Sequence, residues 1–156
     1  MKPNADATAV LGTISYITIA TVSKDGQPWN TPVAGFHFDN DYTFYWASWQ
    51  ENQHSKNIRA NGKAFVVVYD STPPSNEPSA GVYIQGQAFE LTDTQEIMRA
   101  ALVFKNDPYN PSDGTKYIGG YPRRIYKFVP EKIWTNDDGD IHGNAIDIRL
   151  DAEKRK

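Results

Sequence analysis

Short segments rich in β-branched and aromatic residues, each bounded by turn residues, most limit how this chain can fold. Two examples are "YITIATV" at residues 16–22 and "YTFYWASW" at residues 42–49. After the first of them comes Asp25-Gly26, a dipeptide typical of a tight hairpin turn. The pattern predicts a mainly β fold whose neighbouring strands are joined by hairpins.

The segment "QPWNTPVAGFHF" at residues 27–38 also has strand composition, but it contains Pro28 and Pro32. Proline has no N–H to donate to a β-ladder, so it is confined to edge strands and bulges. We therefore expect an edge or bulged strand here, with backbone groups near Asn30 and Thr31 left free.

Three later segments complete the predicted sheet. The apolar run at residues 64–70 is typical of a buried strand, and residues 81–91 form a strand with Gly86 as its expected bulge. A last strand is predicted at residues 124–129, ending before Pro130. The total is six antiparallel strands closed into a small barrel.

The polar segment "QHSKNIRANGK" at residues 53–63 lies between two apolar runs. Its pattern predicts a helix of about two turns. Asn52 or Ser55 would cap its start, and Gly62 would end it. The first turn of a helix offers unpaired N–H groups and a partial positive charge, so together with Ser55 and Lys56 it can hold a phosphate. The residue pattern alone leaves open a simple cap beside a solvated lysine.

A second helix is predicted from a capping box of Thr92 and Gln95 to about Lys105. A loop rich in glycine, proline and asparagine follows, and from Asp137 the charged sequence indicates a flexible tail over residues 137–156. We expect a single domain over residues 1–156, with its core at about 10–135.

Composition excludes several classes of protein. The 156 residues contain no cysteine, so disulfides, thiolate metal sites and cysteine nucleophiles are ruled out. The net charge of −3 opposes binding of nucleic acid, including an OB-type barrel that stacks bases on its aromatic residues. No apolar run is long enough for a membrane span, and no signal peptide is evident, so a soluble cytoplasmic protein is expected. The three histidines have no metal-like spacing, and no metal site is predicted. His54, in the predicted helix at residues 53–63, is expected at the surface.

The serial order of "ITIATVSKDGQPWNTPV", "DYTFYWAS", "SKNIRANGKAFVVVYD" and "GVYIQGQAFEL" resembles the FMN-binding split-barrel family related to pyridoxamine 5′-phosphate oxidase. The resemblance spans about residues 14–91. It implies a six-stranded antiparallel split barrel, an FMN cofactor, and a homodimer that holds the cofactor at the subunit interface.

The resemblance also assigns cofactor-binding positions. Residues 30–33 would line the isoalloxazine edge, residues 46–48 would lie under the ring or ribityl chain, and Ser55 with Lys56 would hold the phosphate. Gly81 would contact the cofactor from the fifth strand, and Trp134 would reach it from the second subunit. The full set is Asn30, Thr31, Pro32, Val33, Trp46, Ala47, Ser48, Ser55, Lys56, Gly81 and Trp134. A core tryptophan at a strand end is the alternative for Trp134.

This chain departs from the oxidases proper in residues that concern the substrate. Uncharged Trp29 and Ala34 stand near the positions where those enzymes carry basic residues, and the C-terminal R-L-H-D-R pattern is missing. Oxidation of vitamin B6 is therefore not expected. Arg123 or Arg124 could instead clamp an anion.

Three functions stay open at this point. The first is an FMN-dependent oxidoreductase acting on an unknown small molecule, with NADH or NADPH as possible electron donor and with FMN supplying the redox chemistry. The second is a flavin-binding module that stores or senses FMN without turnover. The third is a relative on the same fold that binds deazaflavin or haem.

Overall fold

The computed structural model describes residues 5–39, 41–74 and 81–153, and one antiparallel sheet organises them. In chain order the elements are α1 (Ala5–Thr13), β1 (Tyr16–Val22), β2 (Pro28–Ala34), β3 (His37–Phe38), β4 (Phe44–Trp49), α2 (Gln53–Asn61), β5 (Lys63–Tyr69), β6 (Gly81–Glu90), α3 (Thr94–Ala101), β7 (Arg123–Ile141) and β8 (Asn144–Asp151). Short 3-10 helices lie at Leu102–Phe104 and Gly114–Tyr117.

The strand order is β2-β1-β5-β6-β7-β4-β3, with β8 paired to β7. The expected mainly β, antiparallel split barrel is confirmed, and β2 is an edge strand as its prolines predict. The described chain has eight strands rather than six. One reason is that the predicted strand at residues 27–38 divides into β2 and β3 at Gly35, whose φ is +62°. The other is the additional strand β8.

Strict alternation along the strands places one set of side chains inside the barrel. On β1 the inner residues Ile17 and Ile19 are fully buried, while Thr18 and Ala20 between them are partly exposed. The same alternation on β5, β6 and β7 buries Val66, Val68, Val82, Ile84, Tyr126 and Phe128. A second cluster forms where α3 covers β4 and the start of β7. The barrel core therefore follows from the period-2 pattern in the sequence.

The prediction of a strand that ends at Val129 and of a flexible tail from residue 137 was wrong for the described residues. β7 runs on to Ile141, and β8 pairs with it along its whole length. Pro130 is accommodated because it lies at an irregularity in the β6–β7 pairing, where the ladder needs no N–H. Residues 154–156 of the predicted tail lie outside the described residues.

The helices agree with the sequence prediction in part. Asn52 precedes α2, and Gly62 ends it in the left-handed conformation with its N–H 2.9 Å from Ile58 O. The start of α3 was misplaced, because Asp93 accepts from Glu96 N and the predicted box of Thr92 and Gln95 does not form the cap. The sequence reading missed α1. None of the described helices has the length and apolar character needed to cross a membrane.

Gly86 lies at the β6–β7 irregularity, as predicted, and gives the fold its sharpest steric constraint. A Cβ at this position would lie 2.3 Å from Val129 O and 2.8 Å from the Phe128 ring. Replacing an exposed glycine by alanine usually stabilises the folded protein by about 0.4–1 kcal/mol, because it lowers the conformational entropy of the unfolded chain. Here the clash with a backbone oxygen outweighs that gain.

We expect Gly86→Ala to lower the free energy of unfolding by about 1–3 kcal/mol, the usual cost of overpacking. Chemical denaturation followed by circular dichroism measures the change. Gly120→Ala is the matched control, since a Cβ there would meet nothing within 4 Å. Equal stability of the two variants would contradict the predicted clash.

Candidate functional site

The outer face of the sheet brings together residues that are far apart in sequence. Pro32, Thr18, Val67, Tyr83 and Trp134 are successive partners across β2, β1, β5, β6 and β7. All five side chains lie opposite the barrel core and are partly or fully exposed. Two groups of predicted cofactor residues, one on β2 and one on β6 and β7, therefore share this face.

A cavity of about 490 Å³ opens on the outer face among the described residues. It is lined by Val67, Tyr69, Gly81, Tyr83, Asn136 and Asp147. Its volume falls in the range of small-molecule sites, and its walls combine aromatic rings with a few polar groups, as such sites usually do. The predicted contact residue Gly81 thus lies in this cavity, beside the Tyr83 ring, over which the Arg149 guanidinium lies 3.6 Å from the ring centroid.

Gly81 also explains why the cavity stays open. Its N–H donates to Asn136 Oδ1 at 2.7 Å, and a Cβ at this position would lie 3.1 Å from the Tyr83 ring. Any larger residue would therefore crowd Tyr83. Trp134 stacks on Phe65 at 6.3 Å between ring centroids, beside Tyr83 on the same face. Trp134 is half-buried. Its contact with the cofactor of a second subunit stays a prediction.

Strand β2 supplies the other predicted ring contacts. Asn30 and Pro32 are on the outer face, while Thr31 and Val33 turn toward the barrel. The hydroxyl of Thr31 is buried and has no hydrogen-bond partner among the described residues. Such an orphaned hydroxyl is costly unless something else bonds to it. Because Thr31 turns toward the barrel, a ligand on the outer face would not reach this hydroxyl.

The predicted role of the Trp46 side chain is not compatible with its position. The indole is fully buried in the barrel and stacks on Tyr126 at 5.7 Å. It cannot lie under a bound ring, because the alternation of β4 turns residues 44, 46 and 48 inward. Ala47 is buried on the opposite side, in the cluster beneath α3. Of this group, only Ser48 bonds to the residues that precede and begin α2.

The start of α2 differs from the predicted phosphate site in one respect. Ser55 is fully buried, and its hydroxyl donates to Trp49 O at 2.9 Å, so it is not free to bind a phosphate. Asn52 precedes the helix without a side-chain cap. Lys56 is 48% exposed, and its ammonium lies 3.3 Å from the exposed Glu51 carboxylate. A surface pair of this kind is weak, so Lys56 can exchange Glu51 for a ligand anion.

A buried polar network that the sequence did not reveal joins α2 to β4. Ser48 Oγ lies 2.9 Å from His54 Nε2 and accepts from Asn52 Nδ2 at 3.0 Å. His54, expected at the surface, is nearly inaccessible, and the edge of its ring meets Tyr126. The sequence did contain one indication that His54 is buried. It lies one helical turn before Asn57 and Ile58, on the side of α2 that faces the barrel.

Arg123 and Arg124 were candidates for an anion clamp, and the structure gives both of them partners within the chain. The Arg123 guanidinium donates to Tyr109 O, Ala47 O and the Asn110 side chain. The Arg124 guanidinium donates to backbone oxygens of the segment before β7 and to Arg123 O. Both therefore fasten the long segment between α3 and β7 to the barrel.

Asp107 fastens the same segment to the start of β3, just after the turn at Gly35. Its buried carboxylate accepts from His37 Nε2 at 3.0 Å, Asn110 Nδ2 at 2.7 Å and Tyr109 N at 2.7 Å. These hydrogen bonds keep its pKa below the usual value, against the opposing effect of burial. Gly35 lies so close that a Cβ would approach Asp107 Oδ2 to 2.8 Å.

The predicted residues form two separate halves in one chain. One half comprises β2 and Lys56 at the start of α2, and the other comprises Gly81 and Trp134. Three interstrand spacings separate β2 from β6, which amounts to about 14 Å.

Burial of His54 lowers its pKa below the ordinary value of 6.5, because the charged ring would lose its hydration. The unfolded chain therefore binds a proton at His54 more readily than the folded chain. The contribution to stability is fully present above pH 6.5 and is lost as the pH falls from there through the folded-state pKa.

We expect the free energy of unfolding to fall more steeply below pH 6.5 in the wild type than in His54→Gln, which retains a side-chain amide near Ser48. Urea denaturation at a series of pH values measures this slope. His142→Gln, at an exposed turn, is the control and should leave the slope unchanged. Identical acid slopes for all three proteins would show that His54 does not titrate in this way.

Comparison with known proteins agrees with this fold. The sequence model described as pyridoxamine 5′-phosphate oxidase matches residues 4–137. No curated protein sequence matches the chain significantly.

Solved structures give the same result for the fold. HutZ, the haem storage protein from Vibrio cholerae, has a TM-score of 0.69 at 12% identity, with 85% of this chain and 94% of HutZ covered. A haem-binding protein from Mycobacterium smegmatis has a TM-score of 0.66 at 16% identity, with 96% of this chain but only 59% of that protein covered. A proposed 5-nitroimidazole antibiotic resistance protein from Bacteroides thetaiotaomicron has a TM-score of 0.66 at 14% identity, with 86% and 83% covered.

These structural likenesses are below 25% identity and concern the fold alone. The sequence match, in contrast, covers most of the chain, from α1 to the middle of β7. The chain therefore belongs to the pyridoxamine 5′-phosphate oxidase family.

Proposed function

We propose that this protein binds FMN between two copies of the chain and acts as a flavin-dependent oxidoreductase on a small molecule. The observation that carries the proposal is the aromatic-walled cavity at Gly81. It lies on the same outer face as Asn30, Pro32 and Trp134, the positions that the family resemblance links to the cofactor.

The proposal includes a homodimer, as the family resemblance implies. One protomer would supply β2 and Lys56 of α2, and the other would supply Gly81 and Trp134. The outer face also leaves apolar surface to bury, since Tyr69 is 50% exposed and Phe65 and Val67 are partly exposed. Burial of such aromatic surface is what stabilises most homodimer interfaces.

The residues of the chain have definite tasks in this proposal. Lys56 and the N–H groups of the first turn of α2 hold the phosphate, as an ammonium and a helix N-terminus do for other anions. Asn30 and Pro32 face the ligand from β2, and Gly81 leaves the cavity open beside Tyr83. The rings on the outer face exclude water. FMN supplies hydride or electron transfer, so no side chain needs to act as acid or base.

Reduction of the bound flavin by an electron donor, followed by turnover of a substrate, distinguishes this proposed enzyme from a module that only stores or senses FMN. Reduction of the bound flavin by NADH or NADPH, followed by reoxidation by a substrate, supports an enzyme. Bound flavin that neither donor reduces supports a module without turnover.

Haem binding is the second candidate. The haem proteins from Vibrio cholerae and Mycobacterium smegmatis share the fold, and histidine is a common ligand of haem iron. Of the three histidines, His37 bonds to Asp107 and His54 is buried, whereas His142 lies exposed at the turn between β7 and β8. A Soret band in the purified protein, in place of flavin absorbance, would favour haem.

We expect the protein to bind FMN and Lys56→Ala to weaken that binding by about 1 kcal/mol or more, since a charge-assisted contact is lost. Isothermal titration with FMN measures the change. Riboflavin, which has no phosphate, should bind both proteins equally.

Lys105→Ala, a lysine beyond the 3-10 helix that follows α3, is the matched control and should leave FMN affinity unchanged. Unchanged FMN affinity in Lys56→Ala would refute the phosphate assignment. Failure of the wild type to take up FMN would refute the proposed function.

A further inference from the structure

A cavity of about 390 Å³ lies where α3 covers the sheet, and its volume is within the range of small-molecule sites. Residues from three parts of the chain line it, namely Asp39, Tyr45, Glu96, Arg99, Ala100 and Val103. It shares no lining residue with the cavity at Gly81. We call it the α3 cavity.

One wall of the α3 cavity is a single stripe of α3 and of the 3-10 turn that follows it. Glu96 and Ala100 are four residues apart, and Val103 follows three residues later. Arg99 is three residues after Glu96. Side chains at this spacing lie on one face of a helix. The wall therefore carries a carboxylate, a guanidinium and two apolar side chains next to one another.

The rest of the lining comes from β4 and from the turn before it. Tyr45 packs against the cluster beneath α3, and its hydroxyl donates to Asp39 Oδ2 at 3.3 Å. Asp39 Oδ1 accepts from Asp41 N at 2.9 Å and from Thr43 N at 3.0 Å. The carboxylate is thus held in place by its own turn. Its Oδ2 can accept a further donor, because a carboxylate oxygen has two lone pairs.

The α3 cavity holds two charged groups of opposite sign that have no counter-ion. Neither Asp39 nor Arg99 forms an ion pair within the part of the chain that the structure describes. Glu96, in contrast, is paired with Lys127 of β7, whose ammonium lies 2.5 Å from its carboxylate. Asp39 and Arg99 line one cavity but are too far apart to pair directly, so a ligand with both charges can bridge them.

The potential near Tyr45 favours the positive end of such a ligand. Burial and the carboxylates of Asp39 and Glu96 raise the pKa of Tyr45 to about 12. The Tyr45 hydroxyl therefore stays neutral at physiological pH and can accept from an ammonium while it donates to Asp39. Arg99, which is exposed, suits a carboxylate because its guanidinium can bind both carboxylate oxygens.

We propose that the α3 cavity binds a small zwitterion, an amino acid with an apolar side chain. Its ammonium faces Asp39 and the Tyr45 hydroxyl, and its carboxylate faces Arg99. Its side chain lies against Ala100 and Val103. A simple amine or a simple carboxylic acid would leave one of the two charged residues without a partner. The site goes beyond the proposed function and does not depend on it, since it shares no residue with the proposed flavin site.

The test is isothermal titration of the full chain with leucine and with two analogues that keep its side chain. Isocaproate lacks the ammonium, and isoamylamine lacks the carboxylate. Leucine should bind the wild type at least about tenfold more tightly than either analogue, because each analogue loses a charge-assisted contact.

Two variants assign the two ends of the ligand. Arg99→Gln should weaken leucine binding by about tenfold and leave isoamylamine binding unchanged. Asp39→Asn keeps the Oδ1 acceptor of its turn, and it should weaken leucine binding by about tenfold and leave isocaproate binding unchanged. Lys105→Gln is the matched control, because it removes one positive charge from a residue outside the cavity lining. Its leucine affinity should match the wild type.

Circular dichroism shows that each variant is folded before it is titrated. If leucine fails to bind the wild type at millimolar concentration, the proposal is overturned, and FMN binding is unaffected by that result. Equal affinities for leucine and isoamylamine would also overturn it, since they indicate a site for simple amines. An equal loss in Arg99→Gln and Lys105→Gln would show a general effect of surface charge and would overturn it as well.

Discussion

The pairing of β7 with three other strands is the constraint on which the rest of the structure depends. Its first part joins β4 to β6, and its second part joins β6 to β8. Strand β6 lies along one edge of β7, while β4 and β8 follow one another along the other edge. Between the β4 and β8 segments, the β6–β7 ladder carries the irregularity at Gly86 and Pro130, and bulges of this kind bend a strand.

Much of the fold was predictable because it depends on local patterns. Runs of β-branched and apolar residues bounded by turn residues identified β1, β5 and β6, the prolines identified β2 as an edge, and Gly62 marked the end of α2. The start of β7 was also predicted, but residues 130–151 were predicted poorly. Proline and a run of aspartates lower the intrinsic preference for a strand, and only pairing with β6 and β8 overrides it. Tertiary contacts of this kind leave no signal in a short window of sequence.

The family resemblance assigned cofactor roles by position and could not show which way each side chain faces. Trp46 is buried because β4 turns it toward the barrel, and Ser55 is buried on α2. His54 was expected at the surface, but it is buried and bonds to Ser48, which also accepts from Asn52. Buried polar networks depend on partners brought together by the fold, so sequence alone rarely reveals them.

The bonds of Asp107 and Arg123 bear on how the long segment between α3 and β7 moves. Asp107 joins the segment to β3 through His37, and Arg123 joins it to β4 through Ala47 O. Strands β3 and β4 are neighbours at one end of the sheet order, so both attachments hold the segment against that end. A motion that lifts the segment away from these two strands must first break these hydrogen bonds.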